Sequence, residues 1–246
     1  MQHRFDYHRS MTAHPDLASL ARVLGEPSRM HMLSLLMEGR ALTAKELAHG
    51  TGIEPATATS HLRQLLDLNL VSCQPQGRHK YFRLASAEVA RLMETLMVLA
   101  PRTQQTETDL PPMHQARLCY DHLAGRLGTF VTRRLKDLEV ITPDYQITPQ
   151  GEVWFLDLGI QLQPLKKSRR KLAYPCLDWS ERQDHLAGSL GAALVGHFTG
   201  QGWLIQTKHT RLLTLTEQGN EQLQVLFGAL PAGVVFQRTG SAEASH

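Results

Sequence analysis

Between Thr43 and Asp67 the chain has little freedom in how it folds. Thr43 followed three residues later by Glu46 is a capping box, which starts a helix by satisfying its first free amides. Leu47 and Ala48 give that helix a buried face, and Gly52 supplies the permissive backbone of a turn, with Ile53 plugging the angle beyond it. A second helix then runs from about Pro55 to Asp67 and divides by face. Ala58, Leu62, Leu65 and Leu66 fall on the core side, and Thr57, Thr59, Ser60, His61, Arg63 and Gln64 on the other. Two short helices joined tightly, the second with small hydroxylated residues outward, form a helix-turn-helix whose second helix can enter a DNA major groove.

The flanks complete a small domain. Leu17, Leu20, Ala21 and Leu24 recur at helical spacing up to Gly25, and Pro27 opens a helix carrying Met30, Leu33, Leu36 and Met37. After the second helix, residues 70–74 and 79–84 alternate around a Pro75-Gln-Gly-Arg turn cluster and predict a hairpin. A last helix spans about Ser86 to Ala100 with Val89, Leu92, Met93, Leu96 and Leu99 as its stripe. Thr57 and Ser60 can bond phosphate or base edges, and Arg63 can reach a phosphate or a guanine. Arg78, His79 and Lys80 at the hairpin tip suit the phosphate backbone. The expected DNA-binding set is therefore Thr57, Thr59, Ser60, His61, Arg63, Gln64, Arg78, His79 and Lys80. The competing reading is a winged-helix protein-interaction module without specific DNA binding.

Leu20-Ala-Arg-Val-Leu-Gly-Glu-Pro-Ser-Arg-Met-His-Met-Leu, Lys45-Glu-Leu-Ala, Ala56-Thr-Ala-Thr-Ser-His-Leu-Arg-Gln-Leu and Gly77-Arg-His-Lys-Tyr-Phe-Arg-Leu together resemble an ArsR-family winged helix-turn-helix regulator over residues 16–100. The resemblance implies a homodimer joined by the first and last helices of the domain. It also implies double-stranded operator DNA with two half-sites, and a repressor released by an effector. The chain departs from the family where many members bind metal: Leu47-Ala-His stands in place of a Cys-x-Cys, and Ser86 to Ala100 holds no His or Cys. Neither familiar metal site carries over, so no metal ligand is assigned and the cofactor is unknown.

Composition narrows the remaining classes. With 246 residues, 42% hydrophobic and 20% charged, the chain suits two globular domains. No stretch approaches the roughly 18 apolar residues of a membrane helix. Met1 to Ser10 lacks the apolar core of a secretory signal, so the expectation is a cytoplasmic protein without membrane partners. Three cysteines, Cys73, Cys119 and Cys176, make no disulfide framework. An enzyme is not expected, since the chain has no phosphate loop, nucleophile elbow or hydrolase metal motif.

The overall expectation is a mainly α protein with small β-hairpins (α+β). A tail at 1–14 precedes the winged helix-turn-helix at 15–100. A proline-bearing linker at 101–113, a duplicated sensing domain at 114–230 and a tail at 231–246 follow. The duplication rests on Asp121-His-Leu-Ala-Gly-Arg-Leu-Gly and Asp184-His-Leu-Ala-Gly-Ser-Leu-Gly, identical at seven of eight positions, each followed by a Thr-x-x-Gly echo. The echoes allow degenerate winged-helix-like repeats, and the small residues suggest repeats packed together on glycine faces. Cys119, Asp121 and His122, with Cys176, Asp184 and His185, bring thiol, carboxylate and imidazole together twice. They are candidate sensing residues for a metal ion, a thiol-reactive species or, with Trp154, Tyr174, Trp179 and Trp203 as walls, a small organic ligand. The basic run 166–171 reads as a solvated connector.

Overall fold

The computed structural model describes residues 16–101 and 110–237. The tail expected at 1–14, residues 102–109 of the expected linker and residues 238–246 lie outside the described residues.

The N-terminal part runs α1 (Leu17–Leu24), α2 (Pro27–Leu36), β1 (Leu42–Thr43), α3 (Ala44–Thr51), α4 (Pro55–Asp67), β2 (Val71–Gln76), β3 (His79–Leu84) and α5 (Ala87–Leu99). The capping box is present: Thr43 N–H donates to Glu46 Oε2 at 2.7 Å, and Thr43 Oγ1 accepts from Glu46 N at 3.2 Å. Gly52 ends α3 in the left-handed region at φ 69°, which turns the chain into α4. β2 and β3 form an antiparallel wing closed at Gln76 and His79, with β1 added to the free side of β3. Met32, Leu33, Leu47, Ala58, Leu62, Leu65, Phe82 and Met93 meet in one core, so α2, α3, α4, the wing and α5 share a single hydrophobic seam. Of the stripe on α5, Met93 belongs to this core and Val89 and Leu96 lean on it, whereas Leu99 is exposed.

The C-terminal part has a separate core around Leu127, Leu135, Phe155, Leu190, Phe198 and Leu223. It runs α6 (Pro112–Gln115), β4 (Arg117–Cys119), β5 (His122–Ala124), α7 (Gly125–Asp137), α8 (Pro149–Asp157), α9 (Leu162–Lys166), β6 (Tyr174–Leu177), β7 (Asp184–Ala187), α10 (Gly188–Gly200), β8 (Leu204–Gln206), β9 (Leu213–Thr216), α11 (Glu217–Phe227) and β10 (Phe236–Gln237). The first repeat is hairpin β4–β5, α7, a single bridge between Ile141 and Ile147, and α8. The second is hairpin β6–β7, α10, hairpin β8–β9 and α11. α7 packs on β7 and α10 on β5, so each hairpin is covered by the other repeat's helix.

Five helices among the described residues end alike: α3 and α8 turn at Gly52 and Gly159, with Ile53 N on Ala48 O and Ile160 N on Phe155 O, and the long helices α4, α7 and α10 do the same. After α4, α7 and α10 the chain turns at Asn69, Glu139 and Gly202, all at positive φ. In each case the next amide reaches back to the helix: Leu70 N to Leu65 O, Val140 N to Leu135 O and Trp203 N to Phe198 O. The element order α10–β8–β9–α11 matches α4–β2–β3–α5. Where the helices α1, α2 and α3 precede α4, a hairpin directly precedes α7 and α10.

The repeated glycines differ from expectation. They do not pair the repeats through bare helix faces; they seat each helix on the carbonyls of its own repeat. A Cβ on Gly128 would lie 2.5 Å from Leu123 O, and one on Gly191 2.4 Å from Leu186 O. Gly151 and Gly219 leave still less room, 1.9 Å to Val140 O and 2.1 Å to Trp203 O. Only close backbone approach compensates glycine's cost of about 1 kcal/mol in a helix. Gly191 is also the point where the other repeat comes near, with His122 Cβ at 3.1 Å. Ordered structure continues past Pro231 as well, because Phe236–Gln237 pairs in parallel with β9.

Candidate functional site

Two regions hold the residues singled out in the sequence. On α4, Thr57, Thr59, Ser60, Arg63 and Gln64 are exposed, and Arg78, His79 and Lys80 are exposed at the tip of the wing. α4 and the wing share one hydrophobic core, which holds both sets of exposed polar groups on a common scaffold. Thr59 Oγ1 donates to Pro55 O at 2.9 Å within the helix, which leaves Thr57 and Ser60 as the hydroxyls nearest the helix start.

His61 is a correction. Its side chain is turned inward, with Nδ1 3.2 Å from an Arg29 Nη1 and Nε2 3.7 Å from Glu26 Oε2. Arg29, which the sequence reading passed over, is buried and also donates to Val23 O at 2.6 Å and Arg22 O at 3.1 Å. The pair ties α1 and α2 to the back of α4, so His61 braces the helix. Periodicity alone could not show this, because an imidazole suits either side of the helix.

In the C-terminal part, Cys119 and His122 stand directly opposite each other on β4 and β5, and Cys176 and His185 do the same on β6 and β7. Each hairpin therefore presents one thiol and one imidazole side by side, and the two hairpins face each other. One donor atom from each of the four residues lies within 4.8 Å of every other, and the two Sγ atoms are 3.9 Å apart. The two imidazole rings are tilted, with centroids 5.0 Å apart. Cys119 and both histidines are buried and Cys176 is half-buried.

Of the carboxylates expected beside them, Asp184 stands apart and Asp121 lies behind His122. Asp184 is exposed at the far end of β7. Asp121 is held by Arg170 through two bonds of 2.6 and 3.1 Å, with His122 Nδ1 3.4 Å away. Arg170 thereby anchors the connector expected to be solvated. Asp178 is the buried carboxylate: it accepts from Arg117 Nη2 at 2.9 Å, from Gly125 N at 2.7 Å and from Ser180 N and Oγ at 2.9 and 2.7 Å. His185 Nδ1 lies 3.3 Å from Asp178 Oδ2, outside good hydrogen-bond geometry. Arg117, fully buried under the face of Trp179, is the second residue the sequence did not disclose. The remaining aromatic candidates do not line one cavity: Trp154 packs on Phe155 and Phe227, and Trp203 on Phe198.

Electrostatics separate the two thiols. The Cys176 thiol beside it and burial together push Cys119 up to about 11, whereas the bond from Cys119 draws Cys176 below its ordinary value. Burial alone would depress His185, but Asp178 and Cys119 outweigh it and raise its pKa. Asp178 is buried too, yet His185 and Arg117 hold it far below the usual carboxylate range. A spontaneously reactive thiolate at Cys119 is thus disfavoured without a cation to stabilise it.

The cluster adjoins the winged domain. Cys119 Sγ is 3.7 Å from Glu94 Oε2 on α5, and Glu94 also pairs with Arg211. Arg211 in turn donates from Nε to Leu118 O at 2.8 Å and from its amide to Glu38 O at 2.7 Å.

A DNA-reading winged domain joined to a buried thiol–imidazole cluster defines the class of protein, and comparison with known proteins agrees on the first half. Residues 24–74 match the model of a helix-turn-helix domain. The chain is 37% identical over 212 residues to the "Uncharacterized HTH-type transcriptional regulator YdfF" of Bacillus subtilis (strain 168), covering 83% of this chain and 94% of that one. It is 33% identical over 91 residues to the HTH-type transcriptional regulator CmtR of Mycobacterium tuberculosis (strain CDC 1551 / Oshkosh), 36% of this chain and 76% of that protein. Among solved structures, a homodimeric winged domain from Mycobacterium bovis, described as a possible ArsR-family regulator, aligns at 25% identity and TM-score 0.33. That alignment spans 39% of this chain and all of the other. The chain belongs to the HTH-type transcriptional regulators, with a winged helix-turn-helix DNA-binding domain. No helix among the described residues is long and apolar enough to cross a membrane.

Proposed function

We propose that this regulator binds double-stranded operator DNA in the cytoplasm as a homodimer of the ArsR type, and that an effector sensed by the C-terminal half releases it. The observation that carries the DNA reading is the exposure of Thr57, Ser60, Arg63 and Gln64 on α4 together with Arg78, His79 and Lys80 at the wing, both built on one core. Support for a dimer comes from apolar residues left at the surface of the two helices the family resemblance implicates: Leu17 on α1 and Leu99 on α5 are 70% and 74% exposed. Repression is the action the resemblance implies, and no catalytic step is assigned.

The test is equilibrium binding of the full chain to its own promoter fragment over a salt series. Affinity should fall steeply with salt, and Arg78→Ala should lower the log–log slope by about one phosphate contact. Arg63→Ala should cost about 1–3 kcal/mol at one base position. Binding that is absent, or indifferent to both changes, contradicts the reading.

A further inference from the structure

We infer that Cys119, His122, Cys176 and His185 together bind one thiophilic divalent cation of zinc's class, in a tetrahedral site shared by the two repeats, whose occupancy Glu94 conveys to the winged domain. The inference rests on the proposed control of DNA binding by the C-terminal half and supplies its effector class. It lies away from both positions where the family's familiar metal sites would fall.

The donor geometry is close to what such an ion needs. A tetrahedral site with metal–sulfur bonds of about 2.3 Å has a sulfur–sulfur edge of about 3.8 Å, and the Sγ atoms stand 3.9 Å apart. The widest donor pair, 4.8 Å or less, has to close by about an ångström. The surroundings of the rings point the same way. Nδ1 of His122 faces Asp121, and Nδ1 of His185 faces Asp178. That places a hydrogen-bonded carboxylate behind His122 and a buried carboxylate 3.3 Å from His185, although His185 Nδ1 makes no hydrogen bond to it here; carboxylates in these positions orient histidine ligands on zinc. Nε2 of both rings is buried without a hydrogen-bond partner among the described residues. Leaving two buried ring nitrogens unsatisfied is costly unless something occupies the space before them. Two thiolates and two imidazoles select soft or borderline ions over magnesium or calcium. Four protein ligands leave no open position, which suits a regulatory site rather than a catalytic one.

Binding balances as M²⁺ + 2 R–SH + 2 imidazole giving M(SR)₂(imidazole)₂ with release of two protons to solvent. Each repeat supplies one sulfur and one nitrogen, so the ion draws the two hairpins together. Coordination also removes the Cys119 thiol proton, and with it the contact from Cys119 Sγ to Glu94 Oε2. Glu94 is then held by Arg211 alone, and Arg211 already bridges β4 to the end of α2 through Leu118 and Glu38. Occupancy is therefore felt at α2, which packs on α3 and α4, and at α5, which packs on the wing strand β3.

The test is titration of the reduced, metal-free full chain with cobalt(II), followed by zinc. The expected result is one cobalt per chain with the intense visible bands of tetrahedral cobalt and thiolate-to-cobalt charge transfer, bleached by one equivalent of zinc. Cys73→Ser must leave the spectrum unchanged, and Cys119→Ser with Cys176→Ser must abolish the charge-transfer bands. A wild-type spectrum without tetrahedral cobalt overturns the site whatever the variants do, as does one that survives the double substitution. For the coupling, zinc should change operator affinity by about tenfold or more in the wild type. Glu94→Gln should keep the cobalt spectrum and lose that change. Metal uptake with no change in affinity overturns the coupling alone, and absent operator binding with a normal cobalt spectrum overturns only the DNA reading.

Discussion

The winged domain and the C-terminal repeats carry their chemistry in opposite ways. α4 and the wing display theirs outward: Thr57, Ser60, Arg63 and Arg78 are exposed, and a small apolar core behind them keeps them in place. The repeats fold theirs inward: Arg117, His122, Asp178 and His185 are buried, and a polar network holds two hairpins face to face. An outward surface suits a large, charged, rigid partner such as DNA. An inward cluster suits something small enough to be enclosed by it.

That contrast sets the order of expected effects. The largest should come from Asp178→Ala, which strands a fully buried Arg117 without its partner. The loss should be about 3–5 kcal/mol of C-terminal stability in chemical denaturation, and a neutral result would mean that the inward network does not hold the repeats. Next is Gly151→Ala or Gly219→Ala, where the new Cβ would press on Val140 O or Trp203 O; about 1–3 kcal/mol should be lost in each. Equal tolerance at these two sites and at the exposed Gly196 of α10, where a Cβ meets nothing within 4 Å, would break the account of the repeats.

On the outward side the effects should be smaller and of another kind. His61→Ala should lower thermal stability while leaving base preference in operator binding unchanged, because its ring contacts Arg29 and Glu26. A shifted base preference would return His61 to the reading face. The smallest is Thr43→Ala, which removes the α3 cap at about 1 kcal/mol. Thr43 bonds hold Glu46 below its ordinary pKa, so this contribution is complete at neutral pH and fades as the pH falls through that depressed value.

The two regions were also unequally legible. Capping box, turn glycine and helix periodicity are local signals, so α3, α4 and the wing could be placed from neighbours in sequence, with the outward residues following directly. His61 escaped because its partners Arg29 and Glu26 lie on another helix. In the repeats, Cys119 and His122 are three residues apart and Cys176 and His185 nine, which disguises their equivalence. Antiparallel pairing makes them equivalent: each Cys sits opposite its His in register, and the longer second hairpin absorbs the difference. Asp178 was likewise obscured by Asp184, which precedes its histidine in the repeated motif but points to solvent. The glycines were legible as close approaches, but what they approach, a carbonyl of the same repeat, depends on the tertiary fold.

The central claim is that the inward cluster governs the outward surface. It is tested most directly by the operator affinity of one reduced, full-length preparation, measured after chelation and again with one equivalent of zinc. The account predicts that zinc changes the affinity by about tenfold or more in the wild type and leaves the Cys119→Ser/Cys176→Ser protein unchanged. Identical affinities in the wild type with and without bound zinc would contradict it.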